Sequence, residues 1–471
     1  MASKSLRNFT ILATLLAIIS NFYIYTYPSA NPGSCSWRCA VKDEIPNDLS
    51  TWEKAVLFTN NYFLDIQAQF SSNSNTAKND ALTVHLMAFG DPQIKGIWKK
   101  TSYLGRLDVI GNDYYLGHIY SMMKQRLNPS YIVVMGDLYS SQWIGDQEFY
   151  NRASRYMRRI FQRNISWLKP LKEENMDEDG DFQVNWNNWG DVYNAHKKAI
   201  PWSFEYNYSD VKSWEPERDD FLFINITGNH DIGYSGDTTY QHMARYSTFF
   251  GKDNYWIEYE TDTDHAWRIV VLNSLLLEGP ALQPEFIETN WHFLRELSAR
   301  NFTGSTILLS HVPFYKIEGL CSDGPEFRYY PEGFEREPYK ANLLRSQNHL
   351  SEDVSNQVLN LIFNNGKPGI VLTGHDHEGC ETIYNKSKNG STWNCTTDIR
   401  NPDHYVKEVT VRAMMGAFNG NTGLVTGLFD KSKDTWEWHF NLCPFAIQHI
   451  WYIAKVSLLL SMLSWPLLIL L

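Results

Sequence analysis

"HLMAFGDPQIKG", residues 85 to 96, carries a short apolar run into Gly90-Asp91-Pro92-Gln93. Gly, Asp and Pro together are ordinary turn chemistry, so this tetrapeptide alone reads as a turn. Four further segments end in the same way. "YIVVMGDLYS" (131–140) reaches Gly136-Asp137, and "FLFINITGNHDIG" (221–233) reaches Gly228-Asn229-His230-Asp231. "TILLSHVPFY" (306–315) reaches His311, and "GIVLTGHDHEG" (369–379) reaches Gly374-His375-Asp376-His377. Each run has the length of a buried strand and sets its polar residues at what would be the carboxyl edge of a sheet. Ligand sites gather at that edge.

The residue types fit a two-metal centre. Two divalent cations about 3.5 to 4 Å apart need a bridging carboxylate, with imidazole, amide and carboxylate donors filling outer positions. Glycines beside the donors let the backbone turn tightly where metals crowd it. His375 and His377 alternate with Asp376, which in an extended chain sends both imidazoles to one face. A lone H-x-H or G-D is a poor signal. Five such endings in order, each after a strand, read together as a metal site that includes Asp91.

Composition bounds the rest. The 471 residues, 43% hydrophobic and 15% aromatic, suffice for one large domain or two ordinary ones. A net charge of −11 disfavours a general nucleic-acid surface, so no nucleic-acid partner is expected. Residues 1–30, with Lys4 and Arg7 before the apolar run Phe9 to Tyr27, read as a cytosolic tip and signal-anchor helix. A cleaved signal peptide is the competing reading. Residues 441–471 read as a second membrane helix in which Lys455 snorkels or faces a partner, with a lipid-anchor signal tail as the alternative.

Seven N-x-[ST] sequons, at Asn164, Asn207, Asn225, Asn301, Asn385, Asn389 and Asn394, suit a lumenal or extracellular region between these ends. Six cysteines agree with that compartment. Cys380 with Cys395 is the first pairing to expect, because it closes a short sequon-bearing loop; the other connections stay open. Residues 31–84 read as a linker and helix, with helical spacing over 51–70, and residues 85–440 as the main domain. The pattern of short β-rich runs between helical segments is that of an α/β or α+β fold. An insertion at 142–217 combines the basic piece "RASRYMRRIFQR" with an acidic, Trp-rich stretch. It reads either as a surface insertion packed on the domain or as an aromatic platform for sugar rings.

The ordered set Asp91, Gly136-Asp137, Gly228-Asn229-His230-Asp231, His311 and Gly374-His375-x-His377 resembles the calcineurin-like metallophosphoesterases. The resemblance implies a four-layer αββα sandwich, here flanked by N- and C-terminal transmembrane helices. It implies two divalent metal ions, with Asp91 and His377 on one, Asn229, His311 and His375 on the other, and Asp137 bridging. His230 would contact the scissile phosphate and protonate the leaving group, with Asp231 placed to orient it. The family usually has D-x-H where this chain has Asp91-Pro92-Gln93. A neutral amide oxygen makes that position harder and weaker, favouring manganese or magnesium over zinc and leaving Gln93 as ligand or neighbour. The G-D-x-x-Y of purple acid phosphatases is not matched, since Ser140 stands at the tyrosine position.

With D-P-Q, the Trp-rich insertion, "VRAMMGAFNGNTGLV" and two membrane ends, the chain looks like the fungal endoplasmic-reticulum phosphodiesterases that remove ethanolamine phosphate from GPI-glycan mannoses. That resemblance implies a GPI-anchored glycan as substrate, residence in the endoplasmic-reticulum membrane with a lumenal catalytic domain, and ER export cargo receptors as partners. The alternatives are a phosphoesterase for another lipid or nucleotide, and a non-catalytic trafficking scaffold of the same fold.

Overall fold

The run that ends at Gly90 forms β1 (Thr83–Phe89), whose last four residues are all buried. The computed structural model in which this is seen describes residues 2–37, scattered positions from 50 to 63, 82–98, 100–194, Tyr206, 221–387, 390–401 and 404–470. Most of the helical stretch expected at 51–70, and of the insertion beyond Asn194, lies outside the described residues.

Helix α1 (Ala2–Ala30) precedes β1, and α2 (Tyr103–Leu127) follows it. Ser102 caps α2, its hydroxyl accepting from the Gly105 N–H at 3.1 Å. β2 (Tyr131–Val134), α3 (Asp146–Arg155) and β3 (Leu222–Asn225) come next. The chain then runs through α4 (Tyr240–Phe250), β4 (Tyr255–Tyr259), β5 (Trp267–Val271), α5 (Pro284–Ala299) and β6 (Ser305–Leu309). A small ladder, β7 (Phe327–Tyr329) with β8 (Leu344–Gln347), leads to α6 (Glu352–Ile362) and β9 (Gly369–Thr373). The last elements are β10 (Cys380–Lys386), β11 (Trp393–Thr396), β12 (Tyr405–Thr410), β13 (Asn421–Asp430), β14 (Thr435–Pro444) and α7 (Gln448–Leu470).

Two large sheets result, in the orders β14-β13-β1-β2-β3 and β11-β10-β12-β9-β6-β5-β4. Within them β1, β2 and β3 are parallel, as are β5, β6, β9 and β12. That is why these strands read as continuous apolar runs rather than alternating ones. One core cluster joins Leu86, Val133 and Ile224 of the first sheet to Ile269, Leu309 and Ile370 of the second. A second cluster holds the alternate residues Met87, Ile132 and Phe223 with Tyr115 and Ile119 of α2, and Leu308 and Val371 with Phe293 of α5 and Val358 of α6. The arrangement is a mixed α/β fold in which sheet faces meet each other and meet helices.

α1 and α7, at 29 and 23 residues, are long and apolar enough to cross a membrane. They pack on each other through small and polar side chains. Thr14 and Ser461 hydroxyls lie 2.7 Å apart, and the Asn21 amide donates to the Ala454 carbonyl at 3.0 Å. Lys455 faces α1, donating to Tyr25 Oη at 3.2 Å and Asn21 Oδ1 at 3.4 Å. α7 begins at Gln448 rather than near 441, because residues up to Pro444 pair with β13 as an edge strand.

The cysteine expectation is corrected. Cys380 bonds Cys321, Cys35 bonds Cys443, and Cys395 is free among the described residues, outside which Cys39 lies. Cys380 and Cys395 sit on adjacent antiparallel strands but out of register, since Cys395 pairs with Tyr384. The sequons divide as well. Asn301 and Asn394 are exposed, whereas Asn225 and Asn385 are 3% and 5% exposed. Asn225 is held by the Tyr156 hydroxyl, and the Asn385 amide donates to Thr396 Oγ1 at 2.8 Å. Those two asparagines are structural. Asn207 and Asn389 lie outside the described residues.

Candidate metal centre

Every sequence-predicted donor comes from a loop that leaves the carboxyl end of a parallel strand. Asp91 and Gln93 follow β1, Asp137 follows β2, Asn229 to Asp231 follow β3, His311 follows β6, and His375 and His377 follow β9. The turns are tight. Asp91, Gln93, Asp137 and His375 all have positive φ, between 31° and 74°, a backbone strain that collects at functional sites. Two glycines allow the crowding. A Cβ on Gly228 would collide with the Asp137 main chain, and one on Gly374 would stand 2.6 Å from Asp91 Oδ1.

The side chains form two adjoining groups. In the first, donor atoms of Asp91, Asp137 and His377 lie within 4.8 Å of one another. His377 Nε2 is 3.2 Å from Asp91 Oδ2. Gln93 reaches into the same group, its amide nitrogen 3.1 Å from both Asp137 Oδ2 and His377 Nε2. Rotating that amide by half a turn puts its oxygen in the same place. In the second group, Asn229 Oδ1 lies 3.0 Å from His311 Nε2 and 3.0 Å from His375 Nδ1. Asp137 Oδ1 lies 3.4 Å from His311 Nε2, so this carboxylate borders both groups.

The expectation that His375 and His377 share one extended face is corrected. The positive φ of His375 breaks the extension, and the two rings enter different groups.

Main-chain carbonyls fix the tautomers. His311 Nδ1 sits 2.7 Å from the Met135 carbonyl and must donate there, leaving Nε2 with its lone pair toward Asn229 and Asp137. His375 Nε2 sits 3.1 Å from the Gln347 carbonyl, leaving Nδ1 as the free donor atom. Sequence reasoning missed Gln347, because a carbonyl acceptor leaves no mark in residue type.

Electrostatics agree with cation binding. Asp91 and Asp137 are each 1% exposed, and their ion-pair partners among the described residues are histidines. Burial raises the Asp91 carboxyl, with His377 and His311 opposing. Burial also pushes Asp137 upward, but His311, His230 and the His230 N–H outweigh it and hold the group below its ordinary value. Burial, then the neighbouring His311, drives His375 down to about 3, so its ring is neutral near pH 7. Burial opposes protonation of His377, but Asp91 beside it lifts that ring above its ordinary value. Two buried carboxylates among imidazole nitrogens and an amide oxygen fit a pair of divalent cations.

His230 stands at the mouth. Its backbone N–H donates to Asp137 Oδ1 at 2.8 Å, and its ring Nε2 is 3.8 Å from Asp137 Oδ2, with the side chain 36% exposed. Asp231 has a different role from the one expected. Its carboxylate accepts from the main-chain N–H of Gly228 at 2.8 Å and of Leu138 and Tyr139 at 3.2 Å each. It ties the Asp137 loop to the Asn229 loop and leaves His230 Nδ1 without a hydrogen bond among the described residues.

The basic piece of the insertion is structural too. Arg155 and Arg159 pair with Asp113 of α2 at 2.7 and 3.0 Å, and Arg152 is 2% exposed.

A budding-yeast protein, "Protein TED1" of Saccharomyces cerevisiae, is 58% identical to this chain over 99% of both lengths. The chain belongs to the TED1 family. "Metallophosphoesterase 1" of Xenopus laevis is 25% identical over 41% of this chain and 51% of its own, and its Danio rerio counterpart 24% over 42% and 52%. These matches relate the TED1 family to the calcineurin-like metallophosphoesterases and support a phosphoesterase-type function with divalent metals. No family model matches the chain. Among solved structures, "GAP50 the anchor in the inner membrane complex of Plasmodium" covers 76% of this chain and 88% of its own at 12% identity and a TM-score of 0.33.

Proposed function

We propose that this member of the TED1 family is a membrane-anchored phosphodiesterase that removes ethanolamine phosphate from a mannose of the GPI glycan. The observation that carries the catalytic part is the meeting of Asp91, Gln93, Asp137 and His377 with Asn229, His311 and His375 across one shared carboxylate. Bound there, two divalent cations would neutralise phosphoryl charge and lower the pKa of an attacking water. The neutral Gln93 amide favours manganese at the first position.

The chain's own groups do the rest. Asp137, buried between the two donor groups, fixes their separation. His230 reaches open space beside them and donates a proton to the departing oxygen. Asp231 keeps both loops in register through three main-chain amides. A phosphate ester seated at this mouth meets the His230 ring on one side and the donor groups on the other.

The four-layer sandwich is our reading of the two core clusters, with the sheets inside and α2, α5 and α6 outside. The substrate, the endoplasmic-reticulum membrane, the lumenal side and the export receptors rest on the family resemblance of the D-P-Q motif and the paired apolar helices. The exposed sequons at Asn301 and Asn394 support the lumenal side.

The test uses the purified full chain, its metal content measured, against GPI glycans, other phosphodiesters and phosphomonoesters. Wild-type protein should hold two metals and release ethanolamine phosphate from the glycan. Asp137→Asn should lose activity by more than the roughly 10- to 100-fold typical of outer-shell changes, with metal per folded chain reduced. Two tightly held metals in that variant, or no hydrolysis of any ester by the wild type, would sink the reading.

A further inference from the structure

α2 does more than cover a sheet. Near its start, the Asp108 carbonyl accepts from the Tyr452 hydroxyl at 3.4 Å, and Gln448 of α7 donates to Asn112 at 3.0 Å. Farther along, His118 Nε2 lies 3.1 Å from the Ile24 carbonyl, and Arg126 donates to Ser29 Oγ at 3.1 Å. Tyr25 touches both Lys455 and His118, so the α7 and α1 residues that meet α2 stand at similar levels of the helix pair. α2 therefore lies across the end of the pair, its contacts running from the terminal residues Gln448 and Ser29 to Ile24, nearly two turns inside.

The face of α2 that meets the pair includes Gly111, Tyr115 and His118. At 3.6 residues per turn the same stripe continues backward through Leu107 and Leu104. These two are 47% and 77% exposed, with Tyr103 at 75% and Trp98 at 53% beside them in sequence. Leu104 lies about 6 Å beyond Asp108 along the helix axis, at about 1.5 Å per residue. Lys95, Lys100 and Arg106, close to them in sequence, are exposed, against one exposed acid, Asp108. Aromatic side chains with basic neighbours suit the boundary between headgroups and acyl chains of an anionic bilayer.

The surface is tied to the metal centre. Arg152 donates to the Ile94 carbonyl at 3.1 Å and Arg155 to the Lys95 carbonyl at 2.7 Å, which pins the chain between Gln93 and Trp98. The catalytic edge also adjoins α7. Pro444 pairs with Asn421 at the end of β13 where Gly423 meets Ala88, two residues before Gly90. Phe418 packs on the His377 ring at 5.1 Å, while Gly416 fits so closely on Gln448 that a Cβ would collide.

We propose that Trp98, Tyr103, Leu104 and Leu107 form a docking surface for an anionic phospholipid bilayer, seating the catalytic edge at the membrane face. The proposal rests on α1 and α7 crossing the membrane. It deepens the phosphodiesterase reading by specifying that the substrate ester is presented from a bilayer.

The test places the full chain, carrying Cys39→Ser and Cys395→Ser, in nanodiscs of phosphatidylcholine and phosphatidylserine. A polarity-sensitive fluorophore is attached at Leu104→Cys, at Leu459→Cys on α7, or at Lys169→Cys on an exposed helix. The label at 104 should be quenched by nitroxide lipids and shielded from iodide, as the label at 459 should be, while the label at 169 behaves as in water. Iodide quenching at 104 equal to that at 169 would overturn the proposal, as would loss of lipid quenching at 459. Shielding at 104 that persists in detergent and rises with protein concentration would assign the surface to a second copy instead.

Trp98→Ser with Leu104→Ser should lower hydrolysis of a bilayer-embedded phosphodiester by roughly tenfold and leave a soluble nitrophenyl phosphodiester unchanged. Equal loss on both would count against docking. If the wild type cleaves neither, the catalytic reading fails and the fluorescence still decides this one.

Discussion

The Gln93 amide nitrogen and the His377 imidazole Nε2 stand 3.1 Å apart, the amide 3.1 Å from Asp137 Oδ2 and the ring 3.2 Å from Asp91 Oδ2. Gln93 therefore borders the first donor group. Gln93→His should tighten zinc and shift the activating metal away from manganese. Activity and metal content across manganese, magnesium and zinc measure this; profiles of unchanged shape would rule out metal tuning by residue 93.

His230→Ala should retain both metals and lose rate by roughly 10² to 10⁴, the usual cost of removing a general acid. The loss should shrink on nitrophenyl esters, whose leaving group needs no proton. Equal losses on good and poor leaving groups would point to a binding role.

Metal loading should fall in two steps as pH drops. Asp91 lifts His377 above its ordinary value of 6.5, so protons take that ring first as pH falls through its raised value. His375, held down at about 3, stays neutral far below that point. Calorimetric titration with manganese between neutral and acid pH should show the Asp91–His377 position weakening first. Loss of both positions together would contradict this order.

Lys316 and Glu408 form a pair at 2.7 Å, with side chains 1% and 0% exposed. Lys316→Met strands a buried carboxylate and should cost roughly 3–5 kcal/mol in denaturant unfolding. Adding Glu408→Leu should recover much of that loss. A double variant no more stable than the single would show that packing, and not charge, dominates there.

What was legible in the sequence followed from burial. Strands covered on both faces must be apolar throughout, so each donor stands out where its run stops, as at Val134-Met135-Gly136-Asp137. What stayed hidden depended on contacts between distant segments. Cys321 meets Cys380 because β10 returns beside the loop after β6, which spacing alone does not show. Asp231 follows His230 in sequence, but successive residues on a helical turn point about 100° apart, and its carboxylate swings back to Gly228. The Met135 and Gln347 carbonyls that set the histidine tautomers belong to backbone, which every residue has. Gln93 was readable as a departure, and its amide lies against Asp137 and His377, beside the first donor group.

The bond between Cys35 and Cys443, 408 residues apart, has a consequence for the order of assembly. A chain emerging from the ribosome makes β1 early, yet the partner beside it on one edge is β13, with β14 beyond, among the last strands read. The first sheet thus waits with an open edge while everything between is synthesised, and the covalent ring can close only when residue 443 has appeared. Once closed, a protease that nicks any loop inside the ring leaves both apolar helices joined to one another.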